Sequence, residues 1–526
     1  MLVLCLCLPV VLAHAQGGTA SASLSGTIVD QTGAVLPGVT VMAVNAATNQ
    51  SRTAISNAEG RYQFTGLPPA TYSLTAELQG FGRFTRPAIV LNIGAAVDFS
   101  VTLRLSSVEE SITVSANEPI IEVARTDLST VVTQQQIETL PTMNRTYLDF
   151  ATLTPSVTTD VSTTGWGVGF VAGGARSKEG SLLVDGIWNT DESFAYPKVK
   201  YSQDAIDQFQ VINMGATAEF GRAIGGIVNA ITKSGGNTFG GTAYGFFRDK
   251  SLNAEDFMAK AAGLPKPPFD RQLYGGTVGG PIVRNRIFFF AAVERSVMNT
   301  PYNNNITPAN GAVIGLPAED VGMVNSYLQD TFVMGKINYK LNDNDSIQVT
   351  YAVTKESLSN IVSSFTTRSR KSLWPTVDQS FQFLWTGVRR NGAWLHDLRV
   401  AYFPRNFSNT YRDEGGPPLT PDGQLRASYG PMVNISSVAN FGGGYIINNM
   451  LTQPVQIVYS SSILKGKHSL KFGEDAMLSR FYTNFYAGPQ TGTYSFSNLA
   501  NFLSGRYTTY SEVFGPSEIH RFHTYL

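Results

Sequence analysis

The side chains most often used for covalent or metal chemistry are few in this sequence, and their spacing does not suit that chemistry. His520 and His523 are the only close pair of histidines, and they lack the glutamate and the helical context of an H-E-x-x-H metal motif. No G-x-S-x-G nucleophile elbow is present, and both cysteines, Cys5 and Cys7, lie at the very start of the chain. The sequence therefore predicts a protein that is not an enzyme and that holds no cofactor and no metal.

A glycine-rich stretch, GWGVG at Gly165–Gly169, is only superficially similar to a phosphate-binding loop. It lacks the full G-x-G-x-x-G pattern between a strand and a helix, and no Lys-Ser/Thr pair follows it. We interpret it as a mobile loop rather than a nucleotide site.

Composition favours a β-rich protein over a nucleic-acid binder. Lys and Arg total 39 and Asp and Glu total 39, so the net charge is zero and no basic excess is available to neutralise phosphates. Charged residues make up 15% of the chain, below the roughly 25% of soluble domains. The 31 Phe, 22 Tyr and 50 Gly suit a β-barrel with aromatic girdles, although a large soluble β-protein has a similar composition.

The first 15 residues are predicted to be a secretory signal peptide, because an apolar run ends in an A-x-A pattern at Ala13–Ala15. Beyond residue 16, no run approaches the ~18 apolar residues of a membrane helix. An exported chain of this kind is periplasmic, secreted or an outer-membrane barrel.

The chain is organised around Glu219–Gly241, which reads EFGRAIGGIVNAITKSGGNTFGG. Loop-rich globular sequence precedes it, and segments that alternate apolar and polar residues follow it. The stretch resembles the end of the plug domain in TonB-dependent outer-membrane receptors, specifically the Oar-like group. This resemblance implies a plug inside an outer-membrane barrel in contact with lipid, coupling to TonB with ExbB and ExbD, and an extracellular substrate.

Residues 16–106 are predicted to form a small β-sandwich, with strands at Leu24–Val29, Val39–Asn45, Arg61–Thr65, Thr71–Ala76 and Val97–Leu105. The wording G-T-I-V-D-x-x-G followed by E-G-R-Y-x-F resembles the carboxypeptidase-regulatory-like domain, a non-catalytic family. We expect a structural spacer here, with ligand binding as the alternative.

Residues 107–116 form a short β-prone linker. The resemblance implies that such a segment pairs with TonB as an added strand, a mode that draws its affinity from main-chain hydrogen bonds. The predicted contact residues are Ser111, Ile112, Thr113, Val114 and Ser115. The alternative is the last sandwich strand running on into a linker.

Residues 117–236 are similar to the plug domain in the order and spacing of their elements. A short amphipathic helix, with Tyr147, Leu148 and Ala151 on one face, is predicted to stop at Pro155. Val184-Asp-Gly186 resembles the V-D-G turn of the plug.

Three charged residues of this region, Arg176, Asp185 and Arg222, are predicted to form ion pairs between the plug and the barrel wall. This hypothesis rests on charge and context alone.

Residues 237–526 are predicted to be the N-terminal part of the barrel. In Lys336–Ser357, Ile337 and Val349 alternate with polar neighbours on both sides of a tight turn. A period of two with one apolar face suits a strand between lipid and a wet lumen. Long Asn-, Gly- and Pro-rich segments such as 404–452 are predicted to be extracellular loops.

The predicted fold is thus mainly β: an N-terminal β-sandwich, an α+β plug and an incomplete antiparallel transmembrane β-barrel. We count roughly 11 to 14 strand candidates after residue 237, against the 22 strands of plugged transporters, and we expect a fragment of a longer chain. The expected function is energy-coupled uptake of a nutrient (a siderophore, cobalamin, oligosaccharide or peptide). The alternative is an Oar-like surface protein in adhesion or cell contact.

Overall fold

The structure of the chain is a computed structural model. It describes residues 20–105, 112–113, 128–255 apart from 143, 161–168, 176–178 and 192–195, and 257–525 apart from 258–259, 261–265, 267, 325, 361–364, 371, 391, 412–430, 443–446, 467, 487–491 and 513–517.

The N-terminal domain is a sandwich of two β-sheets. Its strands are β1 (Ala22–Asp30), β2 (Thr40–Asn45), β3 (Ser51–Ile55), β4 (Arg61–Leu67), β5 (Ala70–Glu77), β6 (Phe84–Leu91), β7 (Ala96–Asp98), β8 (Val101–Leu103) and β9 (Ile112–Thr113). One sheet has the order β4-β1-β7, with β8 also paired to β1, and the other has the order β3-β2-β5-β6-β9. The five predicted strands are confirmed, although the last is split into β7 and β8, and β3 and β6 were not predicted.

The core of the sandwich follows from strict alternation. In β1 every second residue is buried, including Leu24 and Ile28, and these pack against Leu74 of the opposite sheet. Gly26 lies where a Cβ would come within 1.9 Å of the carbonyl oxygen of Phe99, so only glycine allows the two segments to approach this closely.

The plug is a mixed five-stranded sheet with short helices on it. Its elements are β10 (Leu128–Val132), α1 (Gln134–Thr139), β11 (Val157–Asp160), β12 (Gly169–Ala172), β13 (Ser181–Val184), β14 (Ile187–Trp188), β15 (Ile206–Met214) and β16 (Ile227–Thr232), with 3₁₀ turns at Tyr147–Leu153 and Gln203–Ala205. The sheet order is β10-β15-β16-β13-β14, and β11 and β12 form a separate hairpin.

The amphipathic helix predicted near Pro155 is a 3₁₀ helix rather than an α-helix. Tyr147, Leu148 and Ala151 are buried, as the shared face required. Thr154 is extended because the residue before proline is pushed out of the helical region, so the helix ends after seven residues.

The remaining chain forms the barrel wall, which is an antiparallel meander, and the connections between the wall strands. Its strands and helices are β17 (Gly240–Asp249), β18 (Asp270–Val283), β19 (Ile287–Asn299), β20 (Tyr302–Asn303), α2 (Pro308–Ile314), β21 (Met323–Val324), β22 (Tyr327–Lys340), β23 (Asp345–Asn360), β24 (Ser372–Arg389), β25 (Trp394–Tyr402), β26 (Arg405–Tyr411), β27 (Met432–Ile435), β28 (Ala439–Gly442), β29 (Ile447–Lys465), β30 (His468–Tyr486), β31 (Thr493–Phe496), α3 (Leu499–Leu503), β32 (Thr509–Ser511) and β33 (Glu518–Tyr525); single 3₁₀ turns lie at Lys250–Leu252, Ala318–Asp320 and Arg368–Arg370. The wall is an 11-stranded sheet in which β25 and β26 together occupy one place, between β24 and β29.

The wall strands are longer than the sequence predicted. The prediction that residues 404–452 form a loop was wrong in part. That range contains β26, β27, β28 and the start of β29. Strands β24 and β29 have 18 and 19 residues, against the ~9–11 that cross a bilayer. Alternating apolar residues mark only the part of a strand that faces lipid. The rest of the strand is polar and continues the same ladder of backbone hydrogen bonds beyond the lipid.

The two ends of the wall differ. Short turns close β18–β19, β22–β23, β24–β25 and β29–β30, and the long connections lie at the opposite end. The sandwich lies against the short-turn end, where Asn57 Nδ2 donates to the carbonyl of Gly466 at 3.1 Å.

Among the described residues, no helix combines the length and the apolar character that a membrane-spanning helix needs.

Candidate functional site

The wall has its polar face inward and its apolar face outward. Lys336 and Thr350 pair across β22 and β23 and are 2% and 1% exposed, because they face the plug. Their neighbours Ile337 and Val349 pair in the same way but are 47% and 48% exposed on the outer face. This arrangement is the inverse of a soluble protein and places the outer face in lipid.

Asp185 sits in the tight turn between β13 and β14, with a positive φ of 51°. Its carboxylate accepts hydrogen bonds from the amide and hydroxyl of Thr232 at 3.0 and 2.7 Å, and lies 3.4 Å from Nζ of Lys336. Arg399 of β25 donates to the carbonyl of Asp185 at 3.3 Å. The turn therefore joins the last plug strand to two wall strands.

Arg222 reaches a different part of the wall. Its guanidinium lies 3.2 Å from a carboxylate oxygen of Asp475 in β30. The amide of Gln456 donates to both oxygens of that carboxylate at 2.9 and 3.0 Å, and its own oxygen accepts from the backbone N–H of Trp188 at 3.0 Å. This wall carboxylate thus contacts the plug directly through Arg222 and indirectly through Gln456.

A third contact is a buried three-membered ion group. Arg405 of β26 pairs with Asp191 of the plug and lies 3.2 Å from Asp378 of β24. All three residues are less than 10% exposed. Nearby, Lys200 of the plug pairs with Glu356 of β23.

Not all of the contact surface is polar. Phe290, Ala292, Phe332 and Met334 of β19 and β22 are buried in the same apolar cluster as the plug core. The rings of Tyr201 and Phe332 lie 5.6 Å apart. Here the plug rests on an apolar seat, defined by these four wall residues.

The plug carboxylate of Asp207 is partly buried and accepts a hydrogen bond from a neutral side chain. Burial raises the pKa of Asp207, and the hydrogen bond from Gln208 at 3.1 Å and the charges of Lys233 and Lys336 only partly oppose this.

Two of the three predicted ion-pair residues are described, and each of them pairs with a residue of the wall. Asp185 pairs with Lys336, and Arg222 pairs with Asp475. Arg176 lies outside the described residues. A role for these pairs in function stays a prediction.

The predicted TonB-contact segment is described only in part. Ile112 and Thr113 form β9, which pairs in parallel with Phe84 and Thr85 of β6. Ser111, Val114 and Ser115 lie outside the described residues, so the assignment of the segment stays a prediction.

The sequence predicts no catalytic or nucleotide-binding role for the histidine pair and for the glycine-rich stretch. His520 and His523 lie in a strand, β33. Of the glycine stretch, only Gly169 is described, at the start of β12. Within the described part of the chain, no group of three or more His, Cys, Asp or Glu side chains is placed to hold a metal ion.

The wall partners of the plug were not found from the sequence. Arg405 and Asp475 lie more than 200 residues from the plug residues that they contact. The sequence pattern that could have indicated these partners is a charged residue on the inward face of an alternating strand. Lys336 has the same pattern.

Comparisons with known proteins agree with this geometry. The family described as "Outer membrane beta barrel domain" matches residues 231–315 and 317–526, more than half of the chain. The family "TonB-dependent Receptor Plug Domain" matches residues 124–227, and "Carboxypeptidase regulatory-like domain" matches residues 23–104. The chain belongs to the TonB-dependent outer-membrane receptors. It is therefore an outer-membrane protein, and its family points to a receptor or transporter rather than an enzyme.

Two similar proteins support the assignment. The TonB-dependent transporter Oar of Myxococcus xanthus is 25% identical over 354 residues, which are 62% of this chain and 33% of Oar. The crystal structure of the outer-membrane transporter YddB from Escherichia coli matches with a TM-score of 0.55 at 14% identity, over 74% of this chain and 52% of YddB. The chain thus spans about a third of one protein and about half of the other, and the second likeness concerns the fold alone.

Proposed function

We propose that this receptor takes up a nutrient across the outer membrane in an energy-coupled step. Substrate enters from the end with the long connections, and TonB, working with ExbB and ExbD, acts from the end where the sandwich lies. The plug then rearranges within the wall, and no bond of the substrate is broken. Siderophores, cobalamin, oligosaccharides and peptides are the candidate substrate classes.

The observation that carries this proposal is the way in which the plug is held. Buried ion pairs from Asp185, Asp191 and Arg222 fix it to strands β22 to β30 of the wall. Charged groups that separate regain hydration, so water entering the lumen offsets much of the loss of such pairs. A plug held in this way can move without unfolding its own apolar core.

The proposed coupling segment is Ser111–Ser115, within the linker 107–116. Its described part, Ile112–Thr113, is already extended and lies at the edge of the sandwich sheet, with β6 on one side. An extended edge segment supports pairing with a strand of TonB through main-chain hydrogen bonds.

The test is deletion of residues 108–116 from the full gene product. The readout is accumulation of labelled compounds, one from each candidate class, in energised cells and in cells treated with a proton uncoupler. We expect uptake that the uncoupler and the deletion both abolish. A Val349→Ala substitution on the outer face of the wall is the control and should leave uptake and its energy dependence intact.

Adhesion is the alternative function. If no compound is taken up, or if the deletion leaves uptake unchanged, the transport proposal is wrong. Loss of cell-to-cell contact in a strain that lacks the whole gene would then favour an adhesive role.

A further inference from the structure

The sandwich lies across the short-turn end of the wall, beside a large cavity. We propose that the sandwich acts as a gate for this cavity. In this proposal the sandwich covers the path between plug and wall and moves aside during transport. This inference rests on the proposed uptake function and assigns a role to a domain that the sequence predicts to be a spacer.

The cavity has a volume of about 890 Å³ and is bounded by all three domains. Thr48, Pro69 and Asn92 of the sandwich line one side. Gln208 of the plug and Thr386 of the wall line the others. A solute that passes between plug and wall at this end therefore meets the sandwich.

The cavity also reaches the plug–wall contacts described above. Asp185, Lys336 and Arg399 lie on its surface. A path that opens when these contacts separate would lead directly into the space that the sandwich covers.

Each of the four short turns of the wall is in contact with the sandwich or lines a shared pocket with it. The amide of Asn49 donates to Asn285 Oδ1 at 3.2 Å in the turn after β18, and residues 342–345 line a pocket with Arg52. A Cβ on Gly392 would lie 2.9 Å from the carbonyl oxygen of Thr53. The fourth contact is that of Asn57 with Gly466, at 3.1 Å. A spacer would not need to match every turn at this end.

Water can replace part of the contact across this seam. Gln63 Nε2 donates to Ser469 Oγ at 3.2 Å, and the N–H of Ile93 donates to Gln208 Oε1 at 2.9 Å. These are hydrogen bonds between neutral groups, and the first is exposed to water, which can replace it. The ion pairs between plug and wall are buried, and their separation is offset only once water reaches them, so the sandwich should detach before the plug does.

The first test measures access to the cavity directly. Cys5 and Cys7 are the only cysteines of the chain, so a Thr386→Cys variant reports on the cavity wall once both are cleaved or replaced by serine. A bulky polyethylene-glycol maleimide is added to outer-membrane fragments of this variant, with and without residues 20–105. We expect the rate of labelling to rise by about tenfold or more when the sandwich is removed, because a covered side chain reacts only in the molecules that have opened locally.

An Asp343→Cys variant is the matched control, because the Asp343 side chain is 81% exposed in a short turn. Its labelling should be fast in both forms. Equal labelling of Thr386→Cys with and without the sandwich would overturn the gate.

The second test keeps the sandwich in place, in case its removal prevents assembly. Gln63→Cys and Ser469→Cys are joined by a bis-methanethiosulfonate crosslinker, which a reductant removes. We expect the crosslink to stop uptake of whichever panel compound the wild-type protein accumulates, and reductant to restore it. Thr242→Cys with Thr277→Cys, whose native hydroxyls lie 2.8 Å apart within the wall, is the control crosslink.

The two proposals fail in different ways. Unchanged uptake in the crosslinked protein would overturn the gate and leave transport standing. Absence of uptake in the wild-type protein would overturn transport, and the labelling experiment would still decide whether the sandwich covers the cavity.

Discussion

Replacing Asp185 by asparagine should loosen the plug without disturbing its backbone. Asparagine tolerates the positive φ of 51° at this position and has the same size. Its Oδ1 can keep the hydrogen bond from the backbone N–H of Thr232, and its NH₂ group can donate to the Thr232 hydroxyl, which donates to Asp185 in the wild-type protein. The substitution therefore removes the charge and reverses one hydrogen bond. Lys336, which is 2% exposed, is then left without its counter-ion.

Loss of one partner of a buried pair costs ~3–5 kcal/mol. Lys336 keeps two acceptors, the carbonyl and the hydroxyl of Thr232 at 3.1 and 2.8 Å. We therefore expect the lower end, about 3 kcal/mol, which is about a 100-fold increase in local opening.

The assay is hydrogen exchange at the backbone amide of Thr232, in Asp185→Asn, Lys336→Met and the double variant. The double variant should lose less than the sum of the single losses, with a coupling of about 1.5 kcal/mol or more, because neither buried charge remains unpaired. Additive losses, or a change below about 0.5 kcal/mol in Asp185→Asn, would refute the account of Asp185 as the link between turn and wall.

Three further predictions follow from the same structure. Arg405→Met removes the cation that the buried carboxylates of Asp191 and Asp378 share, and should lower the free energy of local opening at the plug–wall contact by ~3–5 kcal/mol. The measurement is hydrogen exchange at the backbone amide of Asp191, which should become faster. Unchanged exchange would contradict this prediction. Asp207→Asn should raise the stability of the folded protein at neutral pH. Burial raises the pKa of Asp207 above 3.8, so the wild-type protein loses stability as the pH rises from the pKa of this carboxyl in the unfolded chain to its pKa in the folded protein. Denaturation over a pH series tests this, and identical slopes in both proteins would count against it. Val349→Arg, on the outer face, should cost ~2–4 kcal/mol on folding into lipid vesicles relative to Val349→Ala, and equal stabilities would show that this face does not meet lipid.

The sequence was most informative where one physical constraint acted on many consecutive residues. In Lys336–Ser357, lipid on one side and the lumen on the other impose a period of two, and the predicted faces and turn are the observed ones. The buried face of Tyr147 and Leu148 was also predictable, because it depends on near neighbours in the chain, and the V-D-G turn was expected from the family resemblance.

The features that were missed depend on residues far apart in sequence. Strands β27 and β31 pair in parallel, although they belong to two different connections of the wall, so neither segment alone indicates a strand. The partners Arg405 and Asp475 are single charges on long strands, and nothing in their immediate sequence distinguishes them from solvated residues. Only the curvature of the wall around the plug brings them into contact.

The two kinds of contact around the plug have different physical consequences. Against β19 and β22 the plug buries apolar side chains such as Phe332, and separating them exposes apolar surface to water at ~25 cal/mol per Å². Against β24 to β30 the apolar contact is a smaller cluster, in which Ile187 of the plug is buried with Ala401 and Val458 of the wall. On this side the plug is also held by ion pairs such as Asp191 with Arg405, whose separation is offset by hydration once water enters. The apolar seat should therefore stay closed while the charged side opens. A plug that separates on one side only can create a path along the wall and return to the same place, because its seat still fixes its position.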